Sequence, residues 1–216
     1  MLRKLFCAVV TASVLATAAY AEPPVVKPMP DPEMGDHWTY TWRDEITGQD
    51  KGTFTRTVTE VRGEEIGLRI TAPGASTLVL ICDRQWNVKS NPGWRYAPSD
   101  GFGVKSPLAV GQTWKVDSRL TNRKGDTTWN NSITARVVGQ SSLTTKAGQF
   151  DAFEIEFRYQ KKSDNSPGIV QEGVLRIWYA PAIDHWVKRY FEERSNGYLV
   201  TKSATELVEY GRRESN

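Results

Sequence analysis

A stretch near the C-terminal end, RIWYAPAIDHWVKRYFEE (residues 176–193), contains one of the two histidines with an aspartate beside it. Histidine and a carboxylate are two members of the hydrolytic triad, in which the carboxylate orients the imidazole ring. Asp184 and His185 are adjacent, however, and adjacent residues of a β-strand point to opposite faces. We therefore interpret Asp184 as a residue that bonds turn amides, and we assign no catalytic role to His185.

A second candidate for chemistry is the carboxylate pair Glu154 and Glu156 in the segment FEIEFRYQ. Residues two apart on a strand share a face and lie about 6.6 Å apart along it. Such a separation occurs between the two carboxylates of glycosidases. Arg158 continues the same face, and a face of this composition is typical of solvated surface. The pair supports only an alternative hypothesis, an enzyme acting on envelope polysaccharide.

Other catalytic and metal-binding patterns are missing from the sequence. It has no Gly-x-Ser-x-Gly elbow and no glycine-rich phosphate loop. The two histidines are far apart, no cysteine pair accompanies them, and no calcium-loop spacing occurs. We therefore predict a protein that is not an enzyme and that has no cofactor and no metal site.

Aromatic residues are the unusual feature of the composition, with eight tryptophans and eight tyrosines. Most lie at alternating positions, where core packing is their ordinary role. The exception is a turn-rich segment around residues 86–103, which suggests an exposed rim that binds a sugar, an acyl chain or a protein. An alternative is that these rings cover the end of a sheet. The candidate ligand-binding residues are Trp86, Trp94, Arg95, Tyr96 and Phe102.

The opening stretch itself is predicted to be a structural hairpin. Pro181 cannot donate to a sheet ladder, so the residues around it form a turn between two aromatic strands. Trp178 and Trp186 could then meet across the turn, where an aromatic pair contributes up to about 1 kcal/mol. Tyr179 belongs to the same hairpin.

The elements that must position these residues are β-strands. Phe153, Ile155, Phe157 and Tyr159 alternate with polar residues, a pattern of period two that marks half-buried antiparallel strands. Turn signals separate several such segments. We predict one all-β domain over residues 36–210, with about ten or eleven strands in a sandwich or a strongly curved, barrel-like sheet. Similar Gly-x-x-Trp openings suggest two related meanders, 36–105 and 111–210.

The beginning of the chain predicts the compartment. Residues 1–21 combine a basic start, an apolar run and an Ala-x-Ala site, as in a secretory signal peptide. Residues 22–35 are rich in proline and predict a semi-rigid linker, and residues 211–216 a polar tail. The expected location is the periplasm or outside the cell, for a soluble protein with no transmembrane span after cleavage near Ala21.

Charge and cysteine content agree with export. Arg3 and Lys4 are the only charged residues of the signal, so its removal changes the formal net charge from +3 to +1. A chain this close to neutral lacks the basic footprint of a nucleic-acid partner. Cleavage also removes Cys7 and leaves Cys82 as the single cysteine, which excludes an intramolecular disulfide. Cys82 ends the run LVLIC and is expected to be buried in a strand.

The second half of the chain resembles a group of exported bacterial all-β proteins that are classed as domains of unknown function. The resemblance covers about 100 residues and implies a β-fold located in the envelope. It implies no catalytic residues. The matching motifs are Gly111-x-x-Trp114, Ala147-Gly148-Gln149-Phe150, Trp178-Tyr179-Ala180-Pro181, Trp186-Val187-Lys188 and the terminal Glu206-Leu207-Val208-Glu209-Tyr210.

Three functional hypotheses follow. The first is a non-catalytic exported module that binds an envelope lipid, glycan or protein, or helps in envelope assembly. The second is the polysaccharide enzyme with Glu154 and Glu156. The third is a structural partner that docks through an exposed edge strand. We favour the first hypothesis.

Overall fold

The strands form one continuous antiparallel sheet, with most apolar side chains on its inner face and most polar side chains on its outer face. The computed structural model describes residues 27–212, and in them twelve strands follow one another around a barrel that closes where β12 pairs with β1. The strands are β1 His37–Asp44, β2 Asp50–Arg62, β3 Glu65–Thr71, β4 Leu78–Asp83, β5 Val88–Ser90, β6 Trp94–Ala97, β7 Thr113–Asn122, β8 Thr128–Thr145, β9 Gly148–Ser163, β10 Val170–Ala180, β11 His185–Ser195 and β12 Tyr198–Gly211.

The predicted all-β class is confirmed, and of the two predicted arrangements the structure adopts the barrel-like one, with full closure instead of a sandwich. The expected count of ten or eleven strands was too low. The short strands β5 and β6 explain the difference, because they lie in or beside a segment whose turn-forming residues predicted a loop. Between residues 27 and 212 no helix combines the length and the apolar character needed to cross a membrane.

Strand order places the turns alternately at two ends of the barrel. We call one end the mouth; it is formed by the turns at 45–49, 72–77, 91–93, 123–127, 164–169 and 196–197. We call the other end the floor; it is formed by the connections at 63–64, 84–87, 98–112, 146–147 and 181–184. Apolar side chains are exposed near the mouth, among them Trp42 (43%), Leu78 (45%) and Tyr198 (78%). At the floor Val104 and Ile183 are buried, so this end is filled by packed side chains.

The segment before β1 packs on the floor. Met29 is buried, and its backbone amide donates to the carbonyl of Ala182 at 2.6 Å. Arg212 ties the segment to the end of the chain, because its guanidinium bonds both Asp36 and Glu33. The described part of the predicted linker, residues 27–35, therefore contacts the floor of the barrel and the end of the chain. The predicted signal peptide lies outside the described residues.

The stretch 176–193 is a hairpin, in which the 3₁₀ turn Pro181–Ile183 joins β10 to β11. A register shift beside Trp178 places Trp178 opposite Lys188 and Tyr179 opposite Trp186. The expected meeting of Trp178 and Trp186 across the turn is therefore not formed. Trp186 stacks on Tyr40 at 3.9 Å between ring centroids, whereas the Lys188 ammonium lies 5.4 Å from the Trp178 ring.

Cys82 is free and fully buried in β4, opposite Ile66. Burial raises the pKa of its thiol to about 12. The thiol is therefore protonated at neutral pH, which suits a packing role and not a nucleophile.

Candidate ligand-binding cavity

A cavity of about 230 Å³ lies inside the barrel. Most of its wall is apolar or aromatic, but two arginines, an aspartate and a histidine also line it. The apolar and aromatic lining consists of Ile70, Leu80, Trp86, Val88, Phe102, Val104, Leu175, Ile177, Tyr179 and Trp186, and the ionisable lining of Arg56, Asp100, His185 and Arg189.

Strand alternation explains why the two arginines face inward. Arg56 stands between Phe54 and Val58 on β2, at the position that the period assigns to the interior face. Arg189 stands in the same way between Val187 and Phe191 on β11. Both strands therefore carry a cation where the pattern calls for an apolar side chain.

The two guanidinium groups lack acidic partners. In the described part of the chain neither Arg56 nor Arg189 forms an ion pair, and the Nε atom of each is buried without a hydrogen-bond acceptor. The Cζ of Arg56 lies 5.8 Å from the Trp186 ring, and that of Arg189 5.5 Å from the Phe191 ring. Burial, and next the charge of Arg56, lowers the pKa of Arg189 to about 10. Arg189 remains a cation at neutral pH.

Asp100 is the acidic residue of the cavity lining. Its Oδ1 accepts the backbone amides of Val88 at 2.8 Å and Phe102 at 3.2 Å. Asp100 retains some solvent contact, but desolvation dominates and raises its pKa to about 7, against the opposing effect of the two amides and of Arg189. Near neutral pH the carboxyl is only partly ionised, so it offsets at most part of the charge of the two arginines.

His185 lies between aromatic rings, with its ring centroid 4.4 Å from that of Trp38. Its Nδ1 accepts the Trp186 amide at 2.9 Å and lies 2.9 Å from the Tyr40 hydroxyl, and Nε2 is buried without a partner. Burial, and next the charge of Arg56, lowers the pKa of His185 well below its usual value. The ring is therefore neutral, and the amide that Nδ1 accepts places the proton on Nε2.

Asp184 does not orient His185. Its Oδ1 accepts the Tyr179 hydroxyl at 2.5 Å, so the predicted bonds to turn amides are replaced by a side-chain contact. Burial raises the pKa of Asp184 to about 6. The two adjacent side chains thus have different partners, the Tyr179 hydroxyl for Asp184 and the Trp186 amide for His185.

The structure brings together only two of the five predicted rim residues. Trp86 and Phe102 line the cavity, where the Phe102 ring makes an edge contact with Phe157 at 5.7 Å between centroids. Trp94 and Tyr96 are half-buried on β6, and Arg95 is exposed. A ligand role for the five stays a prediction.

The carboxylates of the enzyme hypothesis lie on the outer face of β9. Glu156 accepts Arg158 and Arg176, each at 2.8 Å. Partial burial alone would raise the pKa of Glu156, but the bonds from Arg176 and Arg158 outweigh it and hold that pKa below its usual value. Glu156 is therefore a carboxylate held by ion pairs with two arginines of the outer face.

The predicted site residues did not include Arg56, Asp100 or Arg189. A signal was present for the two arginines, since each interrupts the apolar face of an alternating strand. Asp100 had no comparable signal, because it lies in the irregular connection between β6 and β7.

The Asp100 carboxyl should make folding stability depend on pH. Its raised pKa means that the folded state holds the proton more tightly, so the Asp100 contribution falls as pH rises from about 4 to 7. Replacing Asp100 with asparagine removes this contribution and keeps an amide-accepting oxygen. The free energy of unfolding of the variant should therefore rise by about 1–3 kcal/mol relative to that of wild type as the pH goes from 5 to 8. The change is smaller than the full pKa difference would give, because the carboxyl keeps some solvent contact.

Urea unfolding of wild type and D100N at the two pH values measures this difference. Asp184, whose pKa is also raised, lowers the stability of the protein as pH rises, whereas His185, whose pKa is lowered, lowers it as pH falls below 6.5. Both residues are present in wild type and in D100N, so their effects cancel in the comparison. Asp151, exposed on β9, provides the control variant D151N. A constant difference between D100N and wild type from pH 5 to 8 would contradict the assignment.

Residues 27–212 contain no group of three or more His, Cys, Asp or Glu side chains arranged to hold a metal ion. The cavity lining offers apolar contact, aromatic stacking and hydrogen bonding from cationic donors.

Two solved structures share the fold at low sequence identity. One is a lipoprotein candidate from Parabacteroides distasonis, 16% identical with a TM-score of 0.55, and the match covers 86% of this chain and 99% of that one. The other is a candidate exported protein with a YmcC-like fold from Bacteroides fragilis, 16% identical with a TM-score of 0.52, covering 87% and 100%. At this identity the likeness shows the fold alone. No family model matches the sequence, and no curated protein is significantly similar to it.

Proposed function

We propose that the protein is an exported, non-catalytic carrier that binds a lipid-type ligand inside the barrel. The observation that carries this proposal is the interior cavity, whose wall is mostly apolar yet contains unpartnered cationic donors. Concave, mostly apolar sites with a few convergent polar groups are the usual form of small-molecule sites. The envelope location is supported by the leader pattern of residues 1–21 and by the descriptions of the two structures with the same fold.

Particular observations weigh against the alternatives. Docking through an edge strand needs an unpaired strand, and each of the twelve described strands has a neighbour on both sides. In the enzyme hypothesis Glu154 and Glu156 must reach a substrate, but Glu156 already forms ion pairs with Arg158 and Arg176 on the outer face of β9. The glycan alternative relies on the exposed Arg95 and on the half-buried rings of Trp94 and Tyr96, and these three residues of β6 do not line the cavity.

A tryptophan in place of Leu80 should block lipid binding. Leu80 lines the cavity, so a larger ring there fills part of its volume. The next residue on β4, Ile81, is 39% exposed and does not line the cavity, so I81W adds the same ring at the neighbouring position. We expect L80W to weaken binding of a fluorescent fatty acid at least tenfold and I81W to leave it unchanged, both measured by fluorescence titration.

Native mass spectrometry of protein purified gently from the envelope completes the test. A co-purifying lipid should remain on I81W and be lost from L80W, while circular dichroism verifies that both variants are folded. Loss of the adduct from W94A or Y96A, with retention in L80W, would instead place the ligand at the aromatic rim. Equal lipid affinity of L80W and wild type would overturn the cavity as the binding site.

A further inference from the structure

Arg56 and Arg189 place two like charges inside one barrel. Their mutual repulsion is evident in the effect of Arg56 on the pKa of Arg189. Moving a cation out of water costs several kcal/mol unless an anion and hydrogen bonds compensate it. In the lining around the two guanidinium groups Asp100 is the acidic group, and because it forms no ion pair with either arginine it compensates their charge only in part.

Another cation inside the barrel, Lys161, has an acidic partner. Lys161 and Glu193, on neighbouring inward positions nearer the mouth, form an ion pair at 3.0 Å. Tyr159 also donates its hydroxyl to Glu193 at 2.7 Å. Lys161 thus has an acidic partner inside the barrel, whereas the two arginines of the cavity form no ion pair with the described residues. An external anion would supply the missing partner.

We propose that Arg56 and Arg189 bind the oxyanion headgroup of an amphipathic lipid, a carboxylate or a phosphate monoester. This inference rests on the proposed carrier function and specifies the chemical class of its ligand. An amphipathic anion satisfies both parts of the lining at once: its headgroup accepts the arginine donors, and its chain contacts the apolar wall.

The surroundings of the two arginines suit this role. A guanidinium presents a planar fork of donors that matches carboxylate and phosphate oxygens. The rings of Trp186 and Phe191 lie against the two guanidinium groups and restrict their movement before the ligand arrives. The Nε2 proton of His185, in the same lining, is a further donor without a partner.

The test compares three ligands of equal chain length: dodecanoate, dodecyl phosphate and dodecanol. Wild type should bind at least one of the two anions about ten to a hundred times more tightly than dodecanol. The variants R56Q and R189Q should lose this preference and keep their affinity for dodecanol. Arg69, an exposed residue of β3 outside the cavity lining, provides the control R69Q, which should behave as wild type. Preference between the two anions identifies the headgroup.

Unfolding without ligand separates binding from a structural role. Removing one of two like charges that form no ion pair should leave R56Q and R189Q as stable as wild type or more stable. Loss of affinity for all three ligands alike, with reduced stability, would make the arginines structural and overturn the inference. Equal affinity of wild type for anions and dodecanol would overturn the headgroup site but retain the carrier. Failure of wild type to bind any of the three would overturn both.

Discussion

Replacing Trp186 with alanine is expected to lower the free energy of unfolding by about 3–5 kcal/mol, the usual range for removing a buried large aromatic side chain. Trp186 is 8% exposed, stacks on Tyr40 and lies beneath the Arg56 guanidinium. The substitution removes all of these contacts and enlarges the cavity by the volume that the Trp186 ring occupies. Urea unfolding followed by circular dichroism measures the difference.

The same hairpin supplies the matched control. Trp178 belongs to the opposite face, packs only in part against the core, and has the Lys188 ammonium over its ring. The variant W178A should therefore cost about 1 kcal/mol, in the range of an exposed cation–π contact. Equal losses from W178A and W186A would contradict the register shift that separates the two tryptophans onto different faces.

Replacing Gly173 with alanine is expected to destabilise the barrel by about 2–3 kcal/mol through overpacking. A Cβ at this position would collide with the backbone oxygen of Glu192 and would lie 2.6 Å from the Tyr159 hydroxyl. The backbone oxygen cannot move without disturbing the pairing of β10 with β11. Displacement of Tyr159 would also break its bond to Glu193 beside the interior ion pair.

Gly139 on β8 is the matched control for this substitution. A Cβ there would meet no atom within 4 Å, so G139A should change stability by no more than about 0.5 kcal/mol. Thermal and urea unfolding of the two variants compare the positions directly. A tolerated G173A would mean that β10 and β11 lie farther apart than the structure places them.

These two positions also connect the fold with the proposed ligand site. Trp186 supports Arg56 from within the cavity, and Gly173 allows Tyr159 to lie close to β10. Both substitutions should therefore change ligand binding indirectly, through packing. For that reason the tests of the cavity use Leu80, Arg56 and Arg189, each with a neighbouring or exposed control.

The sequence by itself determined the all-β class, the strand faces around Ile155 and Phe157, and the hairpin turn at Pro181. These features are local: side-chain alternation and proline chemistry act within a few residues. The register shift beside Trp178 was not predictable in this way, because it depends on how two strands align across the hairpin.

Only the tertiary structure decided that the sheet closes and that Arg56 and Arg189 line one cavity. Closure depends on the pairing of β1 with β12, whose residues are more than 150 positions apart in the chain. The two arginines lie on strands that are distant in sequence, so each alone looked like one charged residue in an alternating strand. Asp100 joins them because the connection after β6 enters the barrel, an arrangement set by contacts such as Gly103 with Asn87 and not by any local pattern.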